Sequence, residues 1–298
     1  MHFYNKIIFF IQKFLKNFFF IVYNLLSFID KFFYLVFRKK FFYWIKEFFE
    51  KDCYKNINIL GKNTIFFTPN EITDWRVNTF FEKEPETLEW IDTFIGNKII
   101  FWDIGSNIGL YSIYAALKHK NIEVISFEPS INNLRILSRN IFKNNLTEKI
   151  KIFQMPVSEK ENYFSEMREA EFIEGWSMST FGENKNFEGL NFKSNHNYKI
   201  FGTNINFLLE KKILNIPDHV KIDVDGIEHK ILLGANTLLE SENLKSLSIE
   251  LNENYVEQFN TVHELMKKKG FVVKHKKQGN LKKRNEFSNT FNFIFEKI

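Results

Sequence analysis

The stretch Phe101-Trp102-Asp103-Ile104-Gly105-Ser106-Asn107-Ile108-Gly109 constrains this chain more than any other. An apolar run, Lys98 to Trp102, predicts a buried strand, and Leu110 to Leu117 predicts a helix. An acid and two glycines lie between them, and glycines let a backbone turn sharply and approach a ligand closely. The pattern is D-x-G-x-N-x-G, not the G-x-G-x-x-G that reserves a helix N-terminus for pyrophosphate. An adenosyl ligand without phosphates fits it, which points to S-adenosylmethionine (SAM).

Two further segments support this reading. Glu128 closes Glu123-Val124-Ile125-Ser126-Phe127-Glu128-Pro129, one strand-helix-strand unit after Asp103. An acid at that strand tip suits a bidentate bond to ribose hydroxyls. Val220-Lys221-Ile222-Asp223-Val224-Asp225-Gly226-Ile227-Glu228 predicts another strand, with three acids and a glycine at its tip. Ligands of open α/β sheets sit beyond the carboxyl ends of strands, so the three segments converge on one crevice. Taken singly, each has a plainer explanation: a glycine turn, a solvated loop acid, a helix cap before Ile227. Their joint order and spacing favour a cofactor site.

With the upstream Lys83-Glu84-Pro85-Glu86-Thr87-Leu88-Glu89-Trp90-Ile91, these motifs resemble the FkbM family of SAM-dependent methyltransferases. The resemblance runs from about Ile72 to Phe295. It implies methyl transfer to hydroxyl oxygens of sugars, glycolipids or polyketides. It also implies a doubly wound, Rossmann-like α/β sheet closed by a C-terminal antiparallel hairpin. The expected cofactor residues are Asp103, Gly105, Ser106, Asn107, Gly109, Glu128, Pro129 and Asp223. Pro156 and Val157 join them at the tip of a strand over Ile150–Met155, where related enzymes line the adenine. One departure stands out: Asp225 occupies a position where the family usually has Glu.

The expected catalytic groups are Asp223, Asp225, Glu228 and His229. A sugar hydroxyl is a weak nucleophile, and a positioned base helps remove its proton. Asp223 is the first choice for base, or for orienting the methionine ammonium; His229 is the second, because free imidazole titrates near neutrality. Asp223, Glu250 and Asn252 could together hold Mg²⁺, but no metal is expected. The competing readings are N-methylation, methylation of a small metabolite, and a non-catalytic SAM-binding scaffold.

The predicted order is strand-rich Cys53–Phe67, a helix over Glu82–Ile95, then strands and helices in alternation. Residues 159–197 read as irregular and as a lid or substrate loop, in which Trp176 could stack on a sugar. Helices are expected over Ile131–Asn144, Phe207–Leu214, Glu228–Glu240 and Thr261–Lys269. Phe271–Lys276 and Thr290–Phe295 form the closing pair.

Residues 1–49 form a separate, Phe-rich helical appendage to a methyltransferase domain over 50–298. They hold 15 of the chain's 37 phenylalanines, and Met1 to Lys46 carries eight basic residues against one acid, Asp30. Lys6, Lys13, Lys16, Asn17, Asn24, Ser27 and Lys31 recur at helical spacing as a polar stripe. A basic amphipathic helix of this kind lies in a membrane interface. The longest stretch without a charge, Asn17 to Ile29, is thirteen residues, short of the roughly 20 that a bilayer span needs. Peripheral contact with the inner face of the cytoplasmic membrane is therefore expected rather than crossing; the alternative is a helical hairpin packed on the catalytic domain or on a second copy. One cysteine, Cys53, excludes an internal disulfide and fits a reducing compartment. The net charge of +5 is modest. The basic cluster Lys267, Lys268, Lys269, Lys274, Lys276, Lys277, Lys282, Lys283 and Arg284 is expected to be a solvated edge, without nucleic acid as a partner.

Overall fold

The computed structural model describes residues 2–191, 193–279 and 287–298, with side chains described from residue 9 onward in the first helix. The chain forms two compact units, Met1–Tyr54 and Lys55–Ile298. The first contains helices α1 (His2–Phe37) and α2 (Phe42–Asp52). The turn between them is fixed from both sides. Asp30, buried on α1, accepts the Phe42 N–H at the start of α2 (3.2 Å), a cap that α2 has no neighbouring residue to supply. Phe33 packs edge-on against Phe41 and Trp44. Within α1, Phe9–Phe37 is 29 residues long and apolar enough to cross a membrane by length and composition. Lys13, Lys16, Asp30 and Lys31 lie along this length.

The second unit opens with the hairpin β1 (Tyr54–Ile59) and β2 (Lys62–Phe67). Three short helices follow: α3 (Glu71–Asn78), α4 (Phe80–Lys83) and α5 (Pro85–Asp92). The predicted helix over Glu82–Ile95 is thus broken. A residue before proline is pushed out of helical geometry, and Glu84 adopts φ −142°, ψ 65°. Its carboxylate turns into the interior, where Glu84 is fully buried.

Then come β3 (Ile99–Ile104), α6 (Leu110–Lys118), β4 (Ile122–Phe127), α7 (Ile131–Lys143), β5 (Ile150–Phe153), β6 (Tyr163–Glu169), β7 (Ser179–Phe181), β8 (His196–Gly202) and α8 (Ile205–Glu210). The chain continues through β9 (His219–Ile222), α9 (Glu228–Leu233), α10 (Asn236–Glu240), β10 (Ser246–Asn252), α11 (Val256–Lys268), β11 (Phe271–Lys277) and β12 (Thr290–Lys297). The main sheet has the order β11-β12-β10-β9-β3-β4-β5. Its strands β10, β9, β3, β4 and β5 run parallel, and β12 enters antiparallel against β10 and β11. This is the doubly wound sheet with a closing hairpin that the motifs predict. Parallel strands covered on both faces read as near-continuous apolar runs; Phe101, Trp102, Val220, Ile222, Leu247 and Ile249 are all fully buried. The order reverses between β3 and β9, which places a crevice at their carboxyl ends.

Three local differences have physical causes. The predicted helix Glu228–Glu240 divides into α9 and α10 at Gly234, where a Cβ would lie 2.3 Å from the Ser158 carbonyl oxygen. Residues 159–197 are not wholly irregular: β6 pairs antiparallel with both β7 and β8 in a separate three-stranded sheet. Only Met167 and Glu169 of β6 are buried, so no apolar alternation announces it; distant partners create it. The basic cluster near the C-terminus resolves into separate ion pairs, Lys269 with Glu240, Lys274 with Glu296, Lys276 with Glu253 and Lys277 with Glu89. Lys282, Lys283 and Arg284 lie outside the described residues.

Candidate active site

The carboxyl ends of β3, β4, β5 and β9 surround a cavity of about 310 Å³. Its wall includes Gly105, Asn107, Glu128, Pro129, Pro156, Val157, Asp223 and Asp225. The other expected positions, Asp103, Ser106, Gly109, Glu228 and His229, stand behind that wall.

The glycine loop is built by close approach. Gly105 has φ +87°, and a Cβ there would lie 1.8 Å from the Asp223 carbonyl oxygen. No larger residue lets β3 and β9 meet at this point. The Gly105 and Ser106 N–H groups both donate to the Phe127 carbonyl (3.0 Å each). Asn107, also left-handed at φ +50°, donates its N–H to Glu128 Oε2 (2.7 Å). Gly109 starts α6 at φ +87°, with Leu137 close behind it. Ser106 and Gly109 thus shape the loop from behind the cavity.

Asp103 is fully buried, and its Oδ2 accepts the Ser112 hydroxyl (2.6 Å). Ser112 in turn shares a hydrogen bond with Ser126 (2.6 Å), so Asp103 ties β3 to α6 and β4. Burial raises its pKa against the pull of Lys221.

Glu128 stands at the tip of β4, nearly enclosed, and accepts N–H groups from Asn107 and Ser130 (2.7 and 2.9 Å). Burial outweighs these bonds and pushes its pKa up to about 8. A carboxyl raised this far above its unfolded value is protonated in the folded chain while ionised in the unfolded one. Its contribution to stability is full below about pH 4.5 and is lost as pH rises through about 8. Glu228, pushed up to about 7 by burial, acts in the same direction. The melting temperature of the ligand-free protein is expected to fall from about pH 5 to about pH 8. Glu128→Gln should flatten that slope in thermal melts across the range; an unchanged slope excludes Glu128 as its source.

The tip of β9 carries the remaining acids. Asp223 accepts Lys221 Nζ at 2.7 Å. Lys221 is almost wholly enclosed, in parallel register with Asp103, and lies over the Tyr111 ring at 5.1 Å. Burial works against its charge, yet Asp223, Glu84 and Asp103 hold its pKa above the ordinary value. Sequence reasoning passed over both Lys221 and Glu84. The signal was present, as the two stand in the motifs Lys221-Ile222-Asp223 and Glu84-Pro85-Glu86-Thr87.

Asp225, left-handed at φ +60°, accepts the Met178 N–H at 2.7 Å. It thereby joins a clamp on residues 174–178. Asn107 and Asn133 donate to the Trp176 carbonyl, Arg76 Nε donates to the Gly175 carbonyl, and Asn70 donates to the Glu174 carbonyl. The part of the expected lid that meets the cavity is therefore a wall fixed from several sides. Burial raises the Asp225 pKa, with the Asp223 charge adding to it.

Glu228 and His229 are buried on α9 and are not on the cavity wall. Glu228 accepts N–H groups from Val224 and Gly226 and the Gln258 amide (3.0, 3.1 and 2.6 Å). It holds the strand-tip turn in shape. His229 stands 3.5 Å from Gln258, and burial lowers its pKa.

Glu84, Asp223 and Glu250 bring carboxylate oxygens within 4.8 Å of one another. Asn252, named with Asp223 and Glu250 as able to hold Mg²⁺, is instead buried, donating to Thr290 Oγ1 (3.2 Å) and accepting the Asn254 N–H (2.9 Å). Lysines of the chain itself pair with two of the three carboxylates: Lys221 with Asp223 at 2.7 Å and Lys83 with Glu84 at 3.0 Å.

A family model described as "Methyltransferase FkbM domain" matches residues 103–273, more than half of the chain.

The chain belongs to the FkbM methyltransferase family.

No curated protein matches it. Among solved structures, it is similar to a precorrin-6y C5,15-methyltransferase from Geobacter metallireducens, at 14% identity over 72% of this chain and 88% of that one, with a TM-score of 0.41. A putative rRNA methylase from Clostridium thermocellum gives 10% identity over 73% and 96%, with a TM-score of 0.44. The TrmK protein of M. capricolum, solved with S-adenosylhomocysteine, gives 14% identity over 70% and 67%, with a TM-score of 0.38.

FkbM methyltransferases draw on SAM, and the cavity fits such a ligand. Asn107 Oδ1, Trp176 Nε1 and Thr180 Oγ1 are buried at its wall without a hydrogen-bond partner among the described residues. Buried polar atoms of this kind call for a ligand or water. Phe127, Val157, Met167 and Phe181 supply an apolar surface for a base. Glu128 would hold the ribose, and the Gly105 loop the amino-acid end. When bound, SAM supplies a methyl group on a positively charged sulfur.

Proposed function

We propose that this FkbM methyltransferase methylates a hydroxyl oxygen on a sugar, glycolipid or polysaccharide precursor. The observation that carries the reading is the company Asp223 keeps. It lies on the cavity wall with Asp225 and Glu250, and the same wall presents the indoles of Trp75 and Trp176. Carboxylates that accept hydroxyl hydrogens, set beside flat aromatic faces, are the chemistry that recognises a sugar ring. Asp223 would orient the acceptor and take the hydroxyl proton as the oxygen gains the methyl group. Lys221, bonded to Asp223 at 2.7 Å, fixes its position. Holding the oxygen in line with the transferring carbon supplies much of the rate. Asp225 serves indirectly, by fixing the wall that carries Trp176.

The protein would work at the inner face of the cytoplasmic membrane, held there by the hairpin of residues 1–49. The exposed phenylalanines of α1 support this placement, as does its membrane-crossing length.

The test is binding of S-adenosylhomocysteine to the full chain by calorimetry, followed by a screen of glycan and glycolipid acceptors for methyl incorporation. Asp223→Asn should lower turnover by about 10²–10⁴-fold. Methyl incorporation into RNA or amines, with none into hydroxylated acceptors, would overturn the reading.

A further inference from the structure

The turn joining α1 to α2 contains three consecutive cations, Arg38, Lys39 and Lys40. They border an open cavity of about 540 Å³ together with Tyr34, Tyr43 and Trp44. None of the three cationic side chains takes part in an ion pair or hydrogen bond among the described residues. The nearby acids are committed elsewhere. Asp30 is buried on the Phe42 N–H, and Glu47 pairs with Lys51. The turn itself is held in shape, with Arg38 left-handed at φ +55° and Phe33 packed against Phe41 and Trp44. Positive charge is thus concentrated on a preformed concave surface with nothing among the described residues of this unit to balance it.

The position of this surface decides what balances it. The 29-residue apolar segment Phe9–Phe37 ends at Arg38, and its phenylalanines are exposed around the helix. A helix of that length reaches roughly 44 Å, against a hydrocarbon core of about 30 Å. Whether it lies along a bilayer or crosses it, its last turn meets the headgroup layer. Tyrosine and tryptophan partition to the same depth. We propose that Arg38, Lys39 and Lys40 form a binding site for the phosphate of anionic lipid headgroups, with Tyr34, Tyr43 and Trp44 seated at the membrane interface. Nucleic acid would satisfy the charge, but it leaves the adjoining apolar surface in water.

This site is independent of the methyl-transfer reading and is tested apart from it. Full-length protein would be floated with vesicles of phosphatidylcholine alone, and of phosphatidylcholine with phosphatidylglycerol, at low and high salt. Wild type should favour the anionic vesicles at low salt, by on the order of a hundredfold for three charges at about 1 kcal/mol each. High salt should erase the preference. The triple variant Arg38→Gln, Lys39→Gln, Lys40→Gln should still bind neutral vesicles through its apolar helix but lose the anionic preference. The double charge reversal Lys39→Glu, Lys40→Glu should invert it. Retention of the anionic preference in the triple variant overturns the proposal. So does tighter binding of wild type to an oligonucleotide than to anionic vesicles.

Discussion

Alanine at Gly105 is expected to abolish cofactor binding. Two separate penalties fall on one methyl group. The backbone there is left-handed, which costs an L-residue about 1–2 kcal/mol, and the added Cβ would lie 1.8 Å from the Asp223 carbonyl oxygen. That contact cannot be relieved by rotating a side chain, because the opposing atom is backbone. β3 and β9 must separate, and Asp223 moves with β9. Stability should fall by about 3 kcal/mol or more, and calorimetric affinity for S-adenosylhomocysteine by at least about a hundredfold. Gly61 provides the control. It is also left-handed, at φ +77°, but a Cβ added there would meet nothing within 4 Å. Gly61→Ala should cost about 1 kcal/mol in a denaturant melt and leave affinity unchanged. Equal effects of the two substitutions would mean that backbone conformation, not the meeting of β3 and β9, accounts for Gly105.

Lys221→Met is expected to have the largest effect on stability among single changes at the site. Lys221 is enclosed, bonded to Asp223 at 2.7 Å and close to Glu84 and Asp103. Removing one partner of a buried ion pair leaves the other charge uncompensated, at about 3–5 kcal/mol. For a domain of this size that corresponds to a melting temperature lower by roughly 10 °C. The sign of the pH dependence follows from the acids left behind. Without Lys221 their folded pKa values rise, so the lost stability is recovered on acidification and the loss grows as pH increases. Adding Asp223→Asn to Lys221→Met should restore part of the loss, because the orphaned charge goes with it. Melts near pH 5 and near pH 8 distinguish this from a packing defect, which would lower both by the same amount.

The two substitutions separate local pattern from long-range packing. Asp103, Gly105, Asn107, Gly109 and Glu128 were legible because a glycine turn after an apolar strand is a local requirement, repeated at a spacing set by one strand-helix-strand unit. The sheet was legible for the same reason: parallel strands buried on both faces need long apolar runs, and Ile99–Ile104 has one. What remained hidden depends on partners far away in the chain. Lys221 reads as one more lysine until the register of β9 against β3 sets it beside Asp103. Glu84 reads as a helix residue until Pro85 ejects it. Glu228 and His229 stand in the acidic motif yet face Gln258 of α11 rather than the cavity. β6, with few apolar residues, exists because β7 and β8 complete its hydrogen bonds. Residue order alone was enough for the fold class, the family and the glycine turn after β3. Which acids face the cavity, and which cation answers them, came from the folded chain, because side-chain direction and charge balance are settled by strand register and distant contacts that no local pattern of residues encodes.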